Sequence, residues 1–326
     1  MLLIGFEENL FEERRVLKEN NSFPIALSIE LYNLEDSDNK CFLCNKPNYK
    51  LLYEISDYGF LFQFKKCQCG IVKQTPMPNN KFFDLFFNSD IFFSSKREKE
   101  KKIWGYYNYF SDEHLRYKTS KYRFKRFMNY KKPISIMKIG PGTGSFLGVA
   151  KENNHNVLGC DMSDRFIDFA KEHYKVDILK GRFEELDFEN NRFDVILMFS
   201  VLENVNNIDE LLKEVYRTLR PDGYFIFNFV DMKANIIAKI QKSKYFLFRP
   251  PVCYIFSMPI LEKVLKKYNF RVIRVVKDIR YMSIEKLVSL LGWPWLLKIV
   301  NFLKINKISF PIYAYPSKIV VVQKKK

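Results

Sequence analysis

The sequence lacks an uninterrupted apolar run of the roughly 18 residues that a membrane-spanning helix requires. It also lacks the start of a secretory signal, because Glu7, Glu8, Glu12 and Glu13 stand where a signal peptide needs basic residues. Cysteine is scarce too, and six cysteines in 326 residues are too few for a disulfide scaffold. These absences predict a cytoplasmic protein.

Acidic residues are fewer than basic ones, 37 against 54, which gives a formal net charge of +17 and an isoelectric point near 9.4. Such a charge often indicates nucleic acid or an anionic membrane as partner. Glycine and alanine are scarce, however, whereas lysine, asparagine, isoleucine and phenylalanine are abundant, a bias that AT-rich codon usage produces by itself. We therefore interpret the lysines as a solvated surface, of which the mixed-charge run at 96–102 is an example, and do not expect nucleic acid as the partner.

Apolar residues are plentiful, with 47% hydrophobic and 17% aromatic residues, enough for a sizeable core. A chain of this length is expected to contain two or three structural units. We predict a leader at 1–37, a cysteine-bearing domain at 38–80, an aromatic linker and helix at 81–132, and a large domain at 133–326 with an insertion at 278–317.

Short apolar segments alternate with helical ones beyond Pro133. The predicted strands are 134–139, 156–160, 193–199, 224–230, 271–277 and 318–323. The predicted helices are 144–152, 165–174 and 209–219. This alternation predicts an α/β fold with a doubly wound, mostly parallel sheet.

Three glycines at alternate positions, Gly140, Gly142 and Gly144, separate the first of these strands from the first helix. Glycine has no Cβ and tolerates positive φ, so the backbone there can approach a ligand at the helix N-terminus. The next strand ends in Asp161, a carboxylate suited to bind both hydroxyls of a ribose. A dinucleotide site, whose usual spacing is Gly-x-Gly-x-x-Gly, and a helix cap at Asp161 are the alternatives.

Further segments follow in a fixed order along the chain. They are Gly181-Arg182-Phe183-Glu184-Glu185-Leu186, Val201-Leu202-Glu203-Asn204-Val205 and Arg217-Thr218-Leu219-Arg220-Pro221-Asp222-Gly223. With the glycine loop, this series resembles the class I S-adenosylmethionine (SAM) dependent methyltransferases, particularly the branch with Leu-Glu-His-Val after the fourth strand. The resemblance covers about residues 133–275 and implies a Rossmann-like, seven-stranded sheet.

The resemblance also implies a SAM site and an acceptor site. The implied cofactor-binding residues are Lys138, Ile139, Gly140, Gly142, Gly144, Asp161, Met162, Phe183 and Ser200. Asp161 would hold the ribose, Met162 would lie against the adenine, and the backbone near Phe183 would meet the adenine edge. Glu203 and Asn204 would face the acceptor as catalytic residues, with Glu203 as general base, and a helix cap at Glu203 is the alternative.

Four positions depart from the family pattern. Lys138 and Arg182 stand where the family has an acidic residue, and Asn204 and Cys253 stand where it has histidine. A lysine beside the SAM ammonium weakens binding unless it turns away or meets a carboxylate. A non-catalytic binding or scaffold protein therefore remains an alternative, as does an RNA methyltransferase, although no target-base motif follows the fourth strand.

Four of the six cysteines form two close pairs, Cys41 with Cys44 and Cys67 with Cys69. Two pairs of thiolates on turns predict a structural zinc ion in a small zinc ribbon, with four unligated buried cysteines as the alternative. The arrangement resembles methyltransferases in which such a ribbon precedes a Trp-Gly-Tyr-Tyr-x-Tyr segment, here at 104–109, and many of these are associated with glycan or lipid modification.

The segment 284–302 alternates apolar residues with Lys286 and Lys298, and Lys304 follows it. It is predicted either to lie on a membrane surface or to close over the domain as a helical lid. Together, the patterns predict methyl transfer from SAM to a small-molecule, saccharide or lipid-linked acceptor, on oxygen, by a cytoplasmic enzyme that is peripheral at the inner face of the membrane if 284–302 binds lipid.

Overall fold

The computed structural model describes residues 29–33, 40–57, 60–94, 109–128, 130–291, 294–306 and 308–325. Most of the predicted leader, the mixed-charge run at 96–102, residues 104–108 of the aromatic segment, and Trp293 lie outside the described residues. Within the described ranges, none of the helices combines the length and apolar character needed to cross a bilayer.

Strands and helices alternate through most of the described chain. The strands are β1 (Tyr32–Asn33), β2 (Tyr49–Asp57), β3 (Phe60–Cys67), β4 (Val72–Thr75), β5 (Met77–Pro78), β6 (Ser135–Ile139), β7 (Asn156–Asp161), β8 (Ile178–Lys180), β9 (Phe193–Met198), β10 (Leu219–Val230), β11 (Tyr254–Ile255), β12 (Phe270–Ser283) and β13 (Ser309–Lys324). The helices are α1 (Asn80–Asn88), α2 (Asp90–Ser94), α3 (Glu113–Phe127), α4 (Ser145–Glu152), α5 (Asp164–Tyr174), α6 (Ile208–Thr218), α7 (Ile236–Gln241), α8 (Met258–Lys267), α9 (Ile284–Leu291) and α10 (Pro294–Phe302).

A seven-stranded sheet in the order β12-β13-β10-β9-β6-β7-β8 forms the centre of the protein. The strands from β8 to β10 are parallel, and β13 runs antiparallel between β10 and β12. The predicted doubly wound, mostly parallel fold is therefore confirmed. The sequence pattern missed β8, because this edge strand is three residues long and exposes Leu179 and Lys180.

The central strands are apolar on both faces, as expected for parallel strands covered by helices. Ile136 and Met137 of β6 and Val195 to Met198 of β9 are completely buried. Chain order reverses between β6 and β9, so the carboxyl ends of these strands open a crevice at the switch point. The glycine loop lies at this crevice.

The cysteine-bearing segment forms the antiparallel strands β2, β3 and β4, and β11 from the large domain pairs with β4 as a fourth strand. Phe64 of β3 packs edge-on against Phe248, with ring centroids 5.2 Å apart. The small sheet is compatible with the predicted zinc ribbon. It also shares a buried cluster with the large domain.

The C-terminal hairpin is longer than the sequence pattern predicts. Residues 278–283 and 309–317, predicted as part of an insertion, continue β12 and β13, with Ile279 paired to Tyr313 and Ser283 to Ser309. Only residues 284–308 project beyond the paired strands, and they carry α9 and α10. The hairpin therefore brings residue 280 of β12 to the functional edge of the sheet, beside Ser200.

Candidate active site

A cavity of about 570 Å³ opens at the carboxyl ends of the parallel strands. Its volume lies within the range of roughly 300–1,000 Å³ that is usual for small-molecule sites. The predicted site residues that line it are Ile139, Gly140, Gly142, Asp161, Met162, Phe183, Ser200, Glu203 and Asn204. The fold thus brings together residues that span more than sixty positions of sequence.

The glycine loop depends on its glycines for two different reasons. Gly140 has φ +59°, and a Cβ at this position would lie 2.5 Å from Cγ2 of Val201. Gly144 has φ +82°, and a Cβ there would lie 2.6 Å from Cβ of Ala170 in α5. Gly140 therefore keeps the cavity floor open, whereas Gly144 allows two helices to pack closely and does not line the cavity.

Asp161 joins the glycine loop to the start of α5. Its Oδ2 accepts a hydrogen bond from the backbone N–H of Gly142, and its Oδ1 accepts one from Ser163, both at 3.1 Å. Burial raises the pKa of Asp161 to about 6, although these backbone donors and Lys138 favour the charged form. The N-cap residue of α5 is Ser163 rather than Asp161. The carboxylate of Asp161 holds the backbone of Ser163 in place and also lines the cavity.

Lys138 does not line the cavity, in contrast to its predicted cofactor contact. Its Nζ donates to the carbonyl oxygen of Gly140 at 3.0 Å and lies 5.5 Å from the centroid of the Phe199 ring. Burial, together with the charge of Arg123, lowers the pKa of Lys138 to about 7. The lysine turns away from the cavity and braces the glycine loop from behind, where strand β6 directs its side chain.

Arg182, in the loop after β8, pairs with a carboxylate of the same loop. Its Nε donates to Oε1 of Glu184 at 2.8 Å, and its Nη1 donates to Asn80 at 2.8 Å. The side chains of Arg182 and Glu184 are 9% and 6% exposed, so the pair is almost fully buried. The resemblance implies an acidic residue at position 182. The carboxylate of Glu184, two residues later, lines the cavity wall together with Phe183.

Glu203 is a buried acid at the opposite side of the cavity. Its Oε1 accepts from the backbone N–H of Val230 at 2.7 Å, and burial raises its pKa. It does not cap the following helix, because Asn207 caps α6 by accepting from the N–H of Glu210. The alternative interpretation of Glu203 as a helix cap is therefore wrong, and its carboxyl group is a wall of the cavity.

A buried charge network supports this side of the cavity. Asp278 is completely buried and accepts from Nη2 of Arg123 at 2.6 Å and from Nη2 of Arg280 at 2.8 Å. Burial opposes its charge, but the two guanidinium groups hold the pKa of Asp278 at about 2. Asn228 donates to the same carboxylate at 3.1 Å, and its side-chain oxygen accepts from the N–H of Ser200 at 2.6 Å. The network therefore fixes the turn after β9, where Ser200 has φ +60°.

Aromatic rings cover the part of the cavity beside the glycine loop and Met162. The lining rings are Phe83, Phe86, Phe87, Phe92, Tyr109 and Phe166. Tyr109 packs against Phe166, with centroids 4.8 Å apart, and a Cβ on Gly142 would lie 3.3 Å from its hydroxyl oxygen. The aromatic segment thus packs on the large domain and also covers the cavity.

Sequence reasoning missed several polar residues of the cavity wall, among them Arg249 and Arg280. Arg249 precedes Pro250 and lies four residues before Cys253, the position at which this segment departs from the family pattern. Cys253 itself is completely buried, burial raises its pKa, and its backbone N–H donates to the carbonyl of Glu203 at 2.7 Å. The thiol therefore has a packing role, and no local sequence signal marks either arginine.

The four clustered cysteines lie together, with all four Sγ atoms within 4.8 Å of one another. Sγ of Cys41 is 3.6 Å from Sγ of Cys69, and Sγ of Cys44 is 3.5 Å from Sγ of Cys67. Zinc–sulfur bonds of about 2.3 Å in a tetrahedron imply sulfur separations of about 3.8 Å. The donor set and its spacing therefore fit a closed zinc site.

The part of the chain that matches known proteins includes residues that line the cavity. Residues 137–227 match a family model described as a methyltransferase domain, and this range contains the glycine loop, Asp161 and Glu203. A demethylmenaquinone methyltransferase of Lactobacillus johnsonii is 29% identical over 119 residues, which cover 33% of this chain and 49% of that protein.

Two further relatives match overlapping parts of the chain. An uncharacterised protein of Methanocaldococcus jannaschii is 29% identical over 187 residues, covering 56% of this chain and 84% of that protein. A malonyl-[acyl-carrier protein] O-methyltransferase of Calditerrivibrio nitroreducens is 31% identical over 93 residues, covering 28% of this chain and 36% of that protein. The chain thus spans half or less of the length of the two relatives whose names give an activity.

Proposed function

Because residues 137–227 match a methyltransferase domain and a demethylmenaquinone methyltransferase is 29% identical over 119 residues, we propose that this chain is a class I SAM-dependent methyltransferase that transfers the methyl group of SAM to an oxygen of a small-molecule, saccharide or lipid-linked acceptor. The observation that carries the proposal is the single cavity that joins the glycine loop and Asp161 to Glu203 and Asn204. SAM supplies the methyl group together with its own leaving group. The protein then has to align the acceptor and accept its proton.

The cofactor half of the cavity would hold SAM through backbone and carboxylate groups. Gly140 and Gly142 present a backbone surface without side chains, and the carboxylate of Asp161 faces the ribose position. Met162 and Phe183 line the same end and would flank the adenine. Ile139 and Ser200 complete the proposed contacts, while Lys138 and Gly144 act by supporting the loop.

Glu203 is the proposed general base. Burial raises its pKa, so its carboxylate is a stronger proton acceptor than an exposed glutamate. Glu203 would accept the hydroxyl proton of the acceptor as its oxygen takes the methyl group, for which SAM would supply both the methyl carbon and the sulfur leaving group. Asn204 lines the cavity next to this residue and would orient the acceptor.

Binding and turnover of the full-length chain test the proposal. Isothermal titration calorimetry with SAM and with its demethylated product, S-adenosylhomocysteine, should give saturable binding for both. Absence of binding to either at millimolar concentration would instead favour a scaffold protein. Once an acceptor that the enzyme methylates has been identified, Glu203→Gln should lower kcat by roughly 10²–10⁴-fold. The affinity for SAM should stay unchanged, because the glutamine oxygen can still accept the hydrogen bond from the N–H of Val230.

The proposed zinc ion would have a structural role. Cys41, Cys44, Cys67 and Cys69 would supply four thiolates and leave no open coordination position. The site lies at one end of the small sheet to which β11 is paired. Zinc would therefore stabilise the sheet that supports the 249–253 loop rather than take part in methyl transfer.

Helix α10 carries the proposed membrane contact. Trp295, Ile299 and Phe302 recur on one helical face and are 62%, 44% and 84% exposed, with Lys298 in the same helix. An apolar face flanked by lysine suits the surface of an anionic leaflet, which from the cytoplasm is the inner one. Sedimentation with phosphatidylglycerol vesicles at low salt should show binding that Phe302→Ser weakens and Leu179→Ser, a change on the far edge strand, does not.

A further inference from the structure

The guanidinium group of Arg249 lines the cavity and has no carboxylate partner in the part of the chain that the structure describes. Its Nε is buried and has no hydrogen-bond partner among the described residues, although it belongs to the cavity wall. A buried charged donor without a partner costs folding free energy. Such a group at a cavity surface indicates a ligand that supplies the missing acceptor.

The other two arginines of the cavity wall are already neutralised within the protein. Arg182 donates to the carboxylate of Glu184, and Arg280 donates to Asp278. Asp278 is shared with Arg123, and the charge of Arg280 also acts on the buried carboxyl group of Glu203. Among the arginines that line the cavity, Arg249 is therefore the one whose guanidinium group has no carboxylate partner among the described residues.

The loop of Arg249 lies on the acceptor side of the cavity. Its end is anchored where the N–H of Cys253 donates to the carbonyl oxygen of Glu203 at 2.7 Å. Leu247, Phe248 and Val252 are buried against the small sheet, so the residues on both sides of Arg249 are held firmly. The loop that carries Arg249 is thus tied to the proposed base through Cys253, and Arg249 lines the same cavity as that base.

We infer that Arg249 binds an oxyanion of the methyl acceptor, a carboxylate or a phosphate, and so selects acidic acceptors. A guanidinium group matches both oxyanions with two parallel hydrogen bonds. The inference rests on the proposed function, because it assigns the ligand class of the same cavity. It narrows the acceptor from any small molecule to one that carries an acidic group.

The test measures binding of small probes to the full-length protein saturated with S-adenosylhomocysteine. The bound nucleoside keeps the probes out of the proposed cofactor site, including the position of its carboxylate. Phenyl phosphate, benzoate and the neutral benzamide are titrated by calorimetry or by NMR. We expect phenyl phosphate or benzoate to bind about tenfold or more tightly than benzamide, since charged hydrogen bonds are the stronger ones. The tighter of the two anions identifies phosphate or carboxylate as the preferred group.

Variants separate this role from others. Arg249→Gln should weaken binding of the preferred anion about tenfold or more and leave benzamide unchanged, Arg249→Lys should weaken it less, and the exposed control Arg274→Gln should have no effect. Equal binding of benzamide and the anions, or an unchanged anion affinity in Arg249→Gln, overturns the inference. So does an equal loss of S-adenosylhomocysteine affinity in Arg249→Gln, which would assign Arg249 to the cofactor carboxylate. If the wild-type protein binds no cofactor, the proposed function fails separately, and titration of the same probes into the cofactor-free protein still decides whether Arg249 binds an anion.

Discussion

Replacement of Asp161 by asparagine is the sharpest test of the cofactor site. The wild-type carboxylate accepts from Gly142 and Ser163 at 3.1 Å each and has further acceptor capacity toward the cavity. Asparagine keeps the shape of the side chain but offers one acceptor oxygen and one NH₂ group. One of the two backbone N–H groups therefore faces a donor, and the charge that would attract the ribose hydroxyls is lost.

The expected magnitude follows from these contacts. A hydrogen bond to a charged group contributes about 1.5–3 kcal/mol. Loss of one such bond to the ribose corresponds to a roughly tenfold to 150-fold weaker binding of SAM. Distortion of the glycine loop would weaken SAM binding further. A roughly tenfold weaker binding is therefore the smallest effect that we expect.

Calorimetry with S-adenosylhomocysteine, which is chemically stable and lacks the reactive methyl, is the appropriate assay. Asp164→Asn is the matched control, because Asp164 is the nearby acid that starts α5 and pairs instead with Lys180 at 2.7 Å. The control should bind as the wild type does. An Asp161→Asn variant that is folded and binds within twofold of the wild type would refute the assignment of Asp161 to the ribose.

Three further outcomes follow from the structure. The carboxyl group of Asp161 gains its charge as the pH rises through about 6, so SAM affinity should rise between pH 5 and pH 7 and stay flat in Asp161→Asn; an equal slope in both would contradict this. Gly140→Ala should lower the melting temperature, since left-handed backbone costs about 1–2 kcal/mol and the new Cβ meets Val201, and the double variant with Val201→Ala should recover part of the loss; no recovery would exclude the clash as the cause. Metal analysis should find one zinc per chain in the wild type and in Cys253→Ala but none in Cys44→Ser; zinc retained in Cys44→Ser would disprove the four-cysteine site.

The parallel core could be predicted because each of its features is local in sequence. About thirty residues of sequence contain the short apolar strands, the alternately spaced glycines and the acid at a strand end. The β-α-β unit that they form has one favoured handedness. That geometry places the carboxyl ends of β6 and β7 side by side, so the meeting of the glycine loop with Asp161 followed from the pattern. The cysteine pairs were equally visible as a metal-binding pattern.

Residues that depend on distant partners could not be assigned in the same way. The local sequence around Glu203 fits both a helix cap and a cavity wall, and the fold selects the second by placing the N–H of Val230 beside its carboxyl group. The sequence allows the side chain of Lys138 either to enter the cavity or to turn away from it. In the structure its Nζ donates to the carbonyl oxygen of Gly140 behind the loop. Nothing in the local sequence states which backbone group a side chain will reach.

Local sequence patterns are enough to predict the α/β sheet, the glycine loop, the acid opposite it and the two cysteine pairs, because short spacings and apolar periodicity encode them. Folding of the whole chain is needed to bring β11 into the small sheet and Arg249 and Arg280 into the wall of one cavity. The reason is physical. These arrangements arise from packing and hydrogen bonds between segments far apart in the chain, and such contacts leave no periodic signal in either segment.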